Sequence, residues 1–274
     1  MMKARCRRRS FSAVTVLMAG WLLVPRALPL EEKEFAGSAH GYPAFRDLSG
    51  RTLGDGEFLQ WIEDGRLHIR ITYRFPDGRR IEENGVLRQK PQIVQDAWSW
   101  RESRGGETLR EFKVDFGAQT ATAQKRDKGE LKHWEEKVEI EPGRTFAGFG
   151  FTIALQNLRA RLLKGERIEL KAVGFRPQPQ VVTVELSHAG VERMKMSGRI
   201  PRGDRFVIHP EIPALAKFFV KVPDTYIWLT HPAPAGFLRW EGPVAEPNDT
   251  IVRVDLLPGE GSGPAEPATD NDSD

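Results

Sequence analysis

From Arg66 to Phe75 the chain alternates strictly, with Leu67, Ile69, Ile71, Tyr73 and Phe75 apolar and His68, Arg70, Thr72 and Arg74 polar or basic. A period of two places successive side chains on opposite faces of a strand, so this segment has one face for a core and one for water. Asp64-Gly65 precedes it and Pro76-Asp77-Gly78 follows it. Both read as hairpin turns, because glycine takes a positive φ at no steric cost. Residues 56–62 and 79–87 then pair with it as an antiparallel meander. Further β-like runs fall at 93–100, 108–116, 120–125, 131–140, 167–173, 181–186, 191–196, 205–208, 225–230, 237–241 and 250–257.

The period changes at one place. Phe151, Ala154, Leu155, Leu158 and Leu162 recur at helical spacing, Arg159, Arg161 and Lys164 follow near the end, and Gly165 stops the run. This predicts an amphipathic helix over about 149–164 whose apolar side covers the open side of a sheet. A short helix is expected at about 212–219, with Pro213 tolerable in its first turn. The predicted class is mainly β (α+β): a strongly curved antiparallel sheet or incomplete barrel wrapped over the longer helix. Its concave apolar face is either packed core or a ligand cavity.

The ends differ from this middle. Residues 1–30 hold six basic residues (Lys3, Arg5, Arg7, Arg8, Arg9, Arg26) and no acid, with an uncharged apolar run at 13–24 and then Pro25. That is the pattern of a bacterial signal peptide or, if uncleaved, of a short inner-membrane anchor. The protein is therefore expected in the periplasm or otherwise exported, touching membrane only through this segment. Arg8-Arg9-Ser10-Phe11 resembles the core of a twin-arginine signal, but no Leu-Lys follows, and the general export route is expected. The remainder carries 35 basic against 38 acidic residues, which removes the electrostatic support for nucleic-acid binding. Cys6 is the single cysteine and precedes the apolar run, so it cannot be a lipidated cysteine; disulfides, thiolate nucleophiles and cysteine zinc sites are excluded beyond it. Residues 31–43 read as an irregular lead-in, 44–258 as one β-rich domain, and 259–274 as a disordered acidic tail.

Catalytic patterns are weak. The six histidines (His40, His68, His133, His188, His209, His231) are at least 21 residues apart, so no metal or cofactor is expected. Gly259-Glu260-Gly261-Ser262-Gly263 lies in the tail, without the strand and helix of a nucleophile turn. Gly148-Phe149-Gly150-Phe151 has Ile153 at the third glycine position of a phosphate loop and reads as a flexible lead into the helix. In Glu82-Glu83 and Glu135-Glu136 the members face opposite sides of a strand, and both pairs read as solvated. The mixed charges of 125–137 read as an exposed hairpin.

Aromatic residues are more informative. Trp98 and Trp100 share a strand face, and Trp134, Trp228 and Trp240 fall in other strands. If these faces point inward and are not wholly core, Trp98, Trp100, Phe151, Leu155, Trp228, Phe237 and Trp240 are the candidate ligand-binding residues, with 227–229 and 237–240 as a pocket wall.

From Phe149 to Leu257 the order is helix, strands, short helix, then YIWLT and FLRWEG before a terminal strand. This layout resembles bacterial exported proteins of unknown function similar to the periplasmic lipoprotein carriers, half-closed antiparallel barrels with helices inside. The resemblance implies binding of a lipid, acyl chain or other hydrophobic group and transfers no functional residue. The leading expectation is a non-enzymatic envelope protein binding a hydrophobic ligand in the curved sheet. The alternatives are an envelope interaction or structural protein, using strand edges and the basic face of His68, Arg70 and Arg74 against an envelope protein or a polysaccharide, and a hydrolase with a non-local site.

Overall fold

The computed structural model describes residues 36–196, 198–211 and 222–256. The expected signal segment, the first part of the lead-in, the helix expected at 212–219 and the acidic tail lie outside the described residues.

The elements in chain order are β1 (Ala39–Gly41), β2 (Ala44–Arg46), β3 (Thr52–Glu63), β4 (Arg66–Arg74), β5 (Arg79–Arg88), β6 (Val94–Arg104), β7 (Glu107–Asp115), β8 (Thr120–Asp127), β9 (Glu130–Lys137), β10 (Thr145–Phe146), α1 (Gly150–Leu162), β11 (Ile168–Arg176), β12 (Gln178–Arg193), β13 (Arg202–Pro210), β14 (Thr225–Thr230), β15 (Phe237–Pro243) and β16 (Ile251–Asp255). The strands form one curved, open sheet of sixteen. Two meanders make up most of it, β2 to β9 and β11 to β16, each pairing consecutive strands, with β1 added on β3 and β10 parallel to β11. They join where β16 lies antiparallel to β2, with Phe45 opposite Val254. Curling brings β8 and β9 beside β12, although no ladder among the described residues closes the gap.

The hairpins follow the local chemistry. Gly65 and Gly78 take φ of 71° and 78° in the turns that bracket β4, and the register pairs Leu67 with Ile62 on one side and Leu87 on the other. The buried alternation of β4, Leu67, Ile69, Ile71 and Tyr73, faces the concave side. The free edge β9 is almost entirely exposed and charged, which discourages edge pairing with another chain; the expectation of a solvated hairpin at 125–137 agrees with this.

Three expectations change. The lead-in is not wholly irregular, since Ala39 to Gly41 pair with Gln60 to Phe58 of β3. Runs 181–186 and 191–196 are not separate strands: β12 continues through a bulge between His188 and Val191, where Gly190 has φ 110°. Its partner β13 spans both sides of the bulge, and that pairing keeps the strand going where the local sequence suggests a turn. Lastly, α1 does not cover the sheet with one face. Gly150 to Leu155 are all buried, because the curled sheet surrounds the helix at this end, and exposure begins only toward Ala160 and Arg161. The helix thus crosses the interior, tied at its start to β5 and β6 and near its end to β13.

Candidate ligand cavity

A cavity of about 310 Å³ opens on the concave side, at the lower end of the size range for small-molecule sites. Its walls are mostly aromatic and aliphatic and come from both meanders and α1: Phe58, Trp98 and Trp100 from the first, Phe237 and Trp240 from the second, Phe151 from the helix. The rings order one another. Trp98 stacks on Phe175 with centroids 5.8 Å apart, Phe175 on Phe112 at 4.6 Å, and Phe112 on Trp100 at 5.5 Å. Phe149, just before the helix, meets Phe58 at 5.2 Å and Phe237 at 5.3 Å and so bridges the meanders. Rings stacked in this way resist rotation, which keeps the wall's shape fixed.

One acid stands within this apolar wall. Along β5 the inward parity runs Ile81, Glu83, Gly85, Leu87, while Glu82 points outward to Arg80 and Asn84. The Trp98 indole N–H donates to Glu83 Oε1 at 2.8 Å, and the backbone N–H of Phe149 donates to the same oxygen at 2.7 Å. Glu83 is half-buried, and its Oε2 accepts from none of the described residues. Burial pushes the Glu83 carboxyl above the ordinary carboxylate range, and the two hydrogen bonds offset only part of that. Tyr73, also on the cavity wall, has its hydroxyl pushed up by burial and further by the Glu83 charge. The expectation that Glu82-Glu83 is a solvated pair is corrected here: the curvature of the sheet turns the inward face of β5 onto a water-poor surface.

The glycines before α1 are also reinterpreted. Gly148 has φ 51°, and a Cβ there would overlap Glu83 Oε1 and Trp98 Nε1. A Cβ on Gly150 would overlap the Gln95 amide. Gln95 bonds both ways with Ala147, accepting from its N–H at 2.8 Å and donating to its carbonyl at 3.2 Å. Glu83 and Gln95 therefore clamp 147–149 to the sheet, and the glycines permit close approach where a flexible lead was expected. No side chain caps α1 locally, and the first turn has no acid; Glu83, from a distant strand, supplies an acceptor at its N-cap residue Phe149.

Of the seven candidate residues, Trp98, Trp100, Phe151, Phe237 and Trp240 line the cavity together. Leu155 does not; it is wholly buried in the core, one turn further along the helix. Trp228 faces the other side of the sheet, where it packs with Met194, Met196 and Leu238 and its indole N–H donates to Glu192 at 2.9 Å. Its neighbours Ile227 and Leu229 take the inward positions of β14, so alternation sends Trp228 outward. Glu83, Tyr73 and Phe149 were missed as candidates. The parity of β5 contained the signal for Glu83, since Ile81 and Leu87 identify the inward positions.

A second buried polar cluster lies beyond the helix. Asp204 of β13 is fully buried, 2.6 Å from Arg159 Nη2 of α1, 3.1 Å from His231 Nδ1 and 3.4 Å from His188 Nε2. Histidines far apart in the sequence converge here on one carboxylate, and the Arg159 pair holds the end of the helix to the sheet.

No protein-family model matches the chain, and no curated protein matches it. Solved structures similar to it include the following two. One is a β-barrel-like protein of domain of unknown function DUF1849 from Brucella abortus, 9% identical, aligned over 84% of this chain and 98% of that one with a TM-score of 0.45. The other is the hypothetical lipoprotein YmcC from Escherichia coli, 11% identical over 84% of this chain and 86% of that one, with a TM-score of 0.36. Both are bacterial proteins without an assigned function.

Proposed function

We propose that this is an exported bacterial envelope protein, without catalytic activity, that binds a hydrophobic ligand or lipid in the cavity of its curved sheet. The observation that carries the proposal is the cavity itself: an aromatic and aliphatic hollow of about 310 Å³ between two meanders and a buried helix. A packed core of this many stacked rings has no need of such a space, and filling it with an apolar chain removes further surface from water. Export rests on the basic and apolar pattern of residues 1–24.

The test is native mass spectrometry of the protein purified from a bacterial periplasm, followed by organic extraction and lipid analysis. A stoichiometric adduct of an apolar molecule supports the proposal. A ligand-free species that remains inert toward added amphiphiles overturns it and favours an envelope interaction role for the exposed basic positions of β4.

A further inference from the structure

We propose that the cavity selects an amphiphile whose polar group is a hydrogen-bond donor, an amine or a hydroxyl, seated against Glu83, over one ending in a carboxylate or phosphate. This rests on the ligand-cavity proposal and narrows the class of ligand.

The charge inventory of the wall comes first. Among the described lining residues there are two carboxyl groups, Glu83 and Glu211, and no lysine, arginine or histidine. An anionic head would enter a poorly hydrated space with no countercharge among the described lining residues and with acids of its own sign, and buried charge without a partner is expensive. The hydrogen-bonding inventory agrees. The Trp98 and Phe149 N–H groups are already committed to Glu83 Oε1, while Glu83 Oε2 accepts from no described residue. Besides the hydroxyls of Thr152 and Thr225 and the amide of Gln180, the wall offers an incoming group the pair of an acceptor at Glu83 and, on the adjacent strand, the hydroxyl of Tyr73, which can donate or accept. A hydroxyl fits that pair by donating to Oε2 and accepting from Tyr73. An ammonium fits it by donating to Oε2 while lying against the ring of Trp98, whose indole N–H meets the same carboxyl. Entering as a cation, it also pairs with the Glu83 carboxylate, so that the two charges neutralise each other.

The experiment compares decylamine, decanol and decanoate, which share one chain and differ in the polar group. Binding is read by tryptophan fluorescence, because Trp98, Trp100 and Trp240 border the cavity. The expected result for the intact protein is that decylamine and decanol bind at least about tenfold more tightly than decanoate. In E83Q the advantage of decylamine over decanoate should shrink by about tenfold, while decanol changes by less than about threefold. Tyr73→Phe, a milder change, should weaken decanol and leave decylamine nearly unchanged, which keeps the inference testable if E83Q does not fold. Decanoate binding as tightly as decylamine overturns the inference while leaving the hydrophobic cavity in place. An unchanged amine-to-carboxylate ratio in a folded E83Q also overturns it, by removing the head group from Glu83. If none of the three chains binds, the ligand-cavity proposal fails, and the inference with it.

Discussion

Replacing Gly148 with alanine isolates the clamp at the start of α1. Gly148 has φ 51°, and its Cβ would overlap Glu83 Oε1 and Trp98 Nε1, the two atoms of a 2.8 Å hydrogen bond. Left-handed backbone in a residue with a Cβ costs roughly 1–2 kcal/mol. Moving Glu83 aside also strains its bonds to Trp98 and Phe149, and hydrogen bonds to a charged group are worth about 1.5–3 kcal/mol each. With both bonds lost, the two effects together give a destabilisation of about 4–8 kcal/mol for G148A. A control separates them. Gly165 has φ 87° at the end of the helix, but a Cβ there meets nothing within 4 Å, so G165A should lose only the backbone part, about 1–2 kcal/mol. In a domain of this size each kcal/mol moves the melting temperature by roughly 2–4 °C, so G148A should melt at least roughly 8 °C below wild type and clearly below G165A. In an E83A background the collision with the carboxyl is gone but that with the Trp98 indole remains, so G148A should cost less than in wild type and still more than G165A. The assay is thermal and urea unfolding followed by tryptophan fluorescence. If G148A costs no more than G165A, or the same in both backgrounds, the clamp is not what fixes the helix.

Other expectations follow from the same geometry. Burial raises the Glu83 pKa in the folded state, so the stability tied to its proton is complete at low pH and declines as the pH climbs from the ordinary carboxylate range through the raised value. The melting temperature of E83Q should therefore rise relative to wild type between about pH 4 and about pH 8; a flat or falling difference would contradict the burial of this carboxyl. D204A should lose about 3–5 kcal/mol in urea unfolding, because Arg159, whose side chain is only 11% exposed, would be left without its partner. A loss under about 1 kcal/mol would show the pair to be solvated. W240A, on the cavity wall, should weaken decylamine binding by about tenfold while W228A leaves it unchanged and lowers stability by about 3–5 kcal/mol. The reverse pattern would place the ligand on the outer face.

The legible part of this protein was local. The alternation of Leu67 to Phe75 between Gly65 and Gly78 specified the first meander, and the change of period at Phe151 specified the helix, because each depends on neighbouring side chains sharing a face. Trp98 and Trp100 were placed on one face for the same reason, and both line the cavity. Trp228 shows where aromatic content misleads: hydrophobicity suggested a pocket wall, but the parity of Ile227 and Leu229 reversed it. Glu83 shows the converse. Its chemistry suggested a wet surface, and its parity with Ile81 and Leu87 placed it inside.

Dihedral preferences and side-chain periodicity over a few residues specify most of the strands, their turns, the helix and which residues share a face; the short strands β1, β2 and β10 and the continuity of β12 escape them. Only the tertiary structure decided that β16 closes onto β2, that the sheet curls far enough to bury one end of α1 on all sides, and that Glu83 meets Trp98 and Phe149 in an apolar hollow. Those outcomes depend on pairings between residues far apart in the chain, as with Phe45 and Val254 or Glu83 and Phe149. The strand-edge hydrogen bonds that join them are backbone groups common to every residue, so the local pattern contains no record of which distant edge they will find.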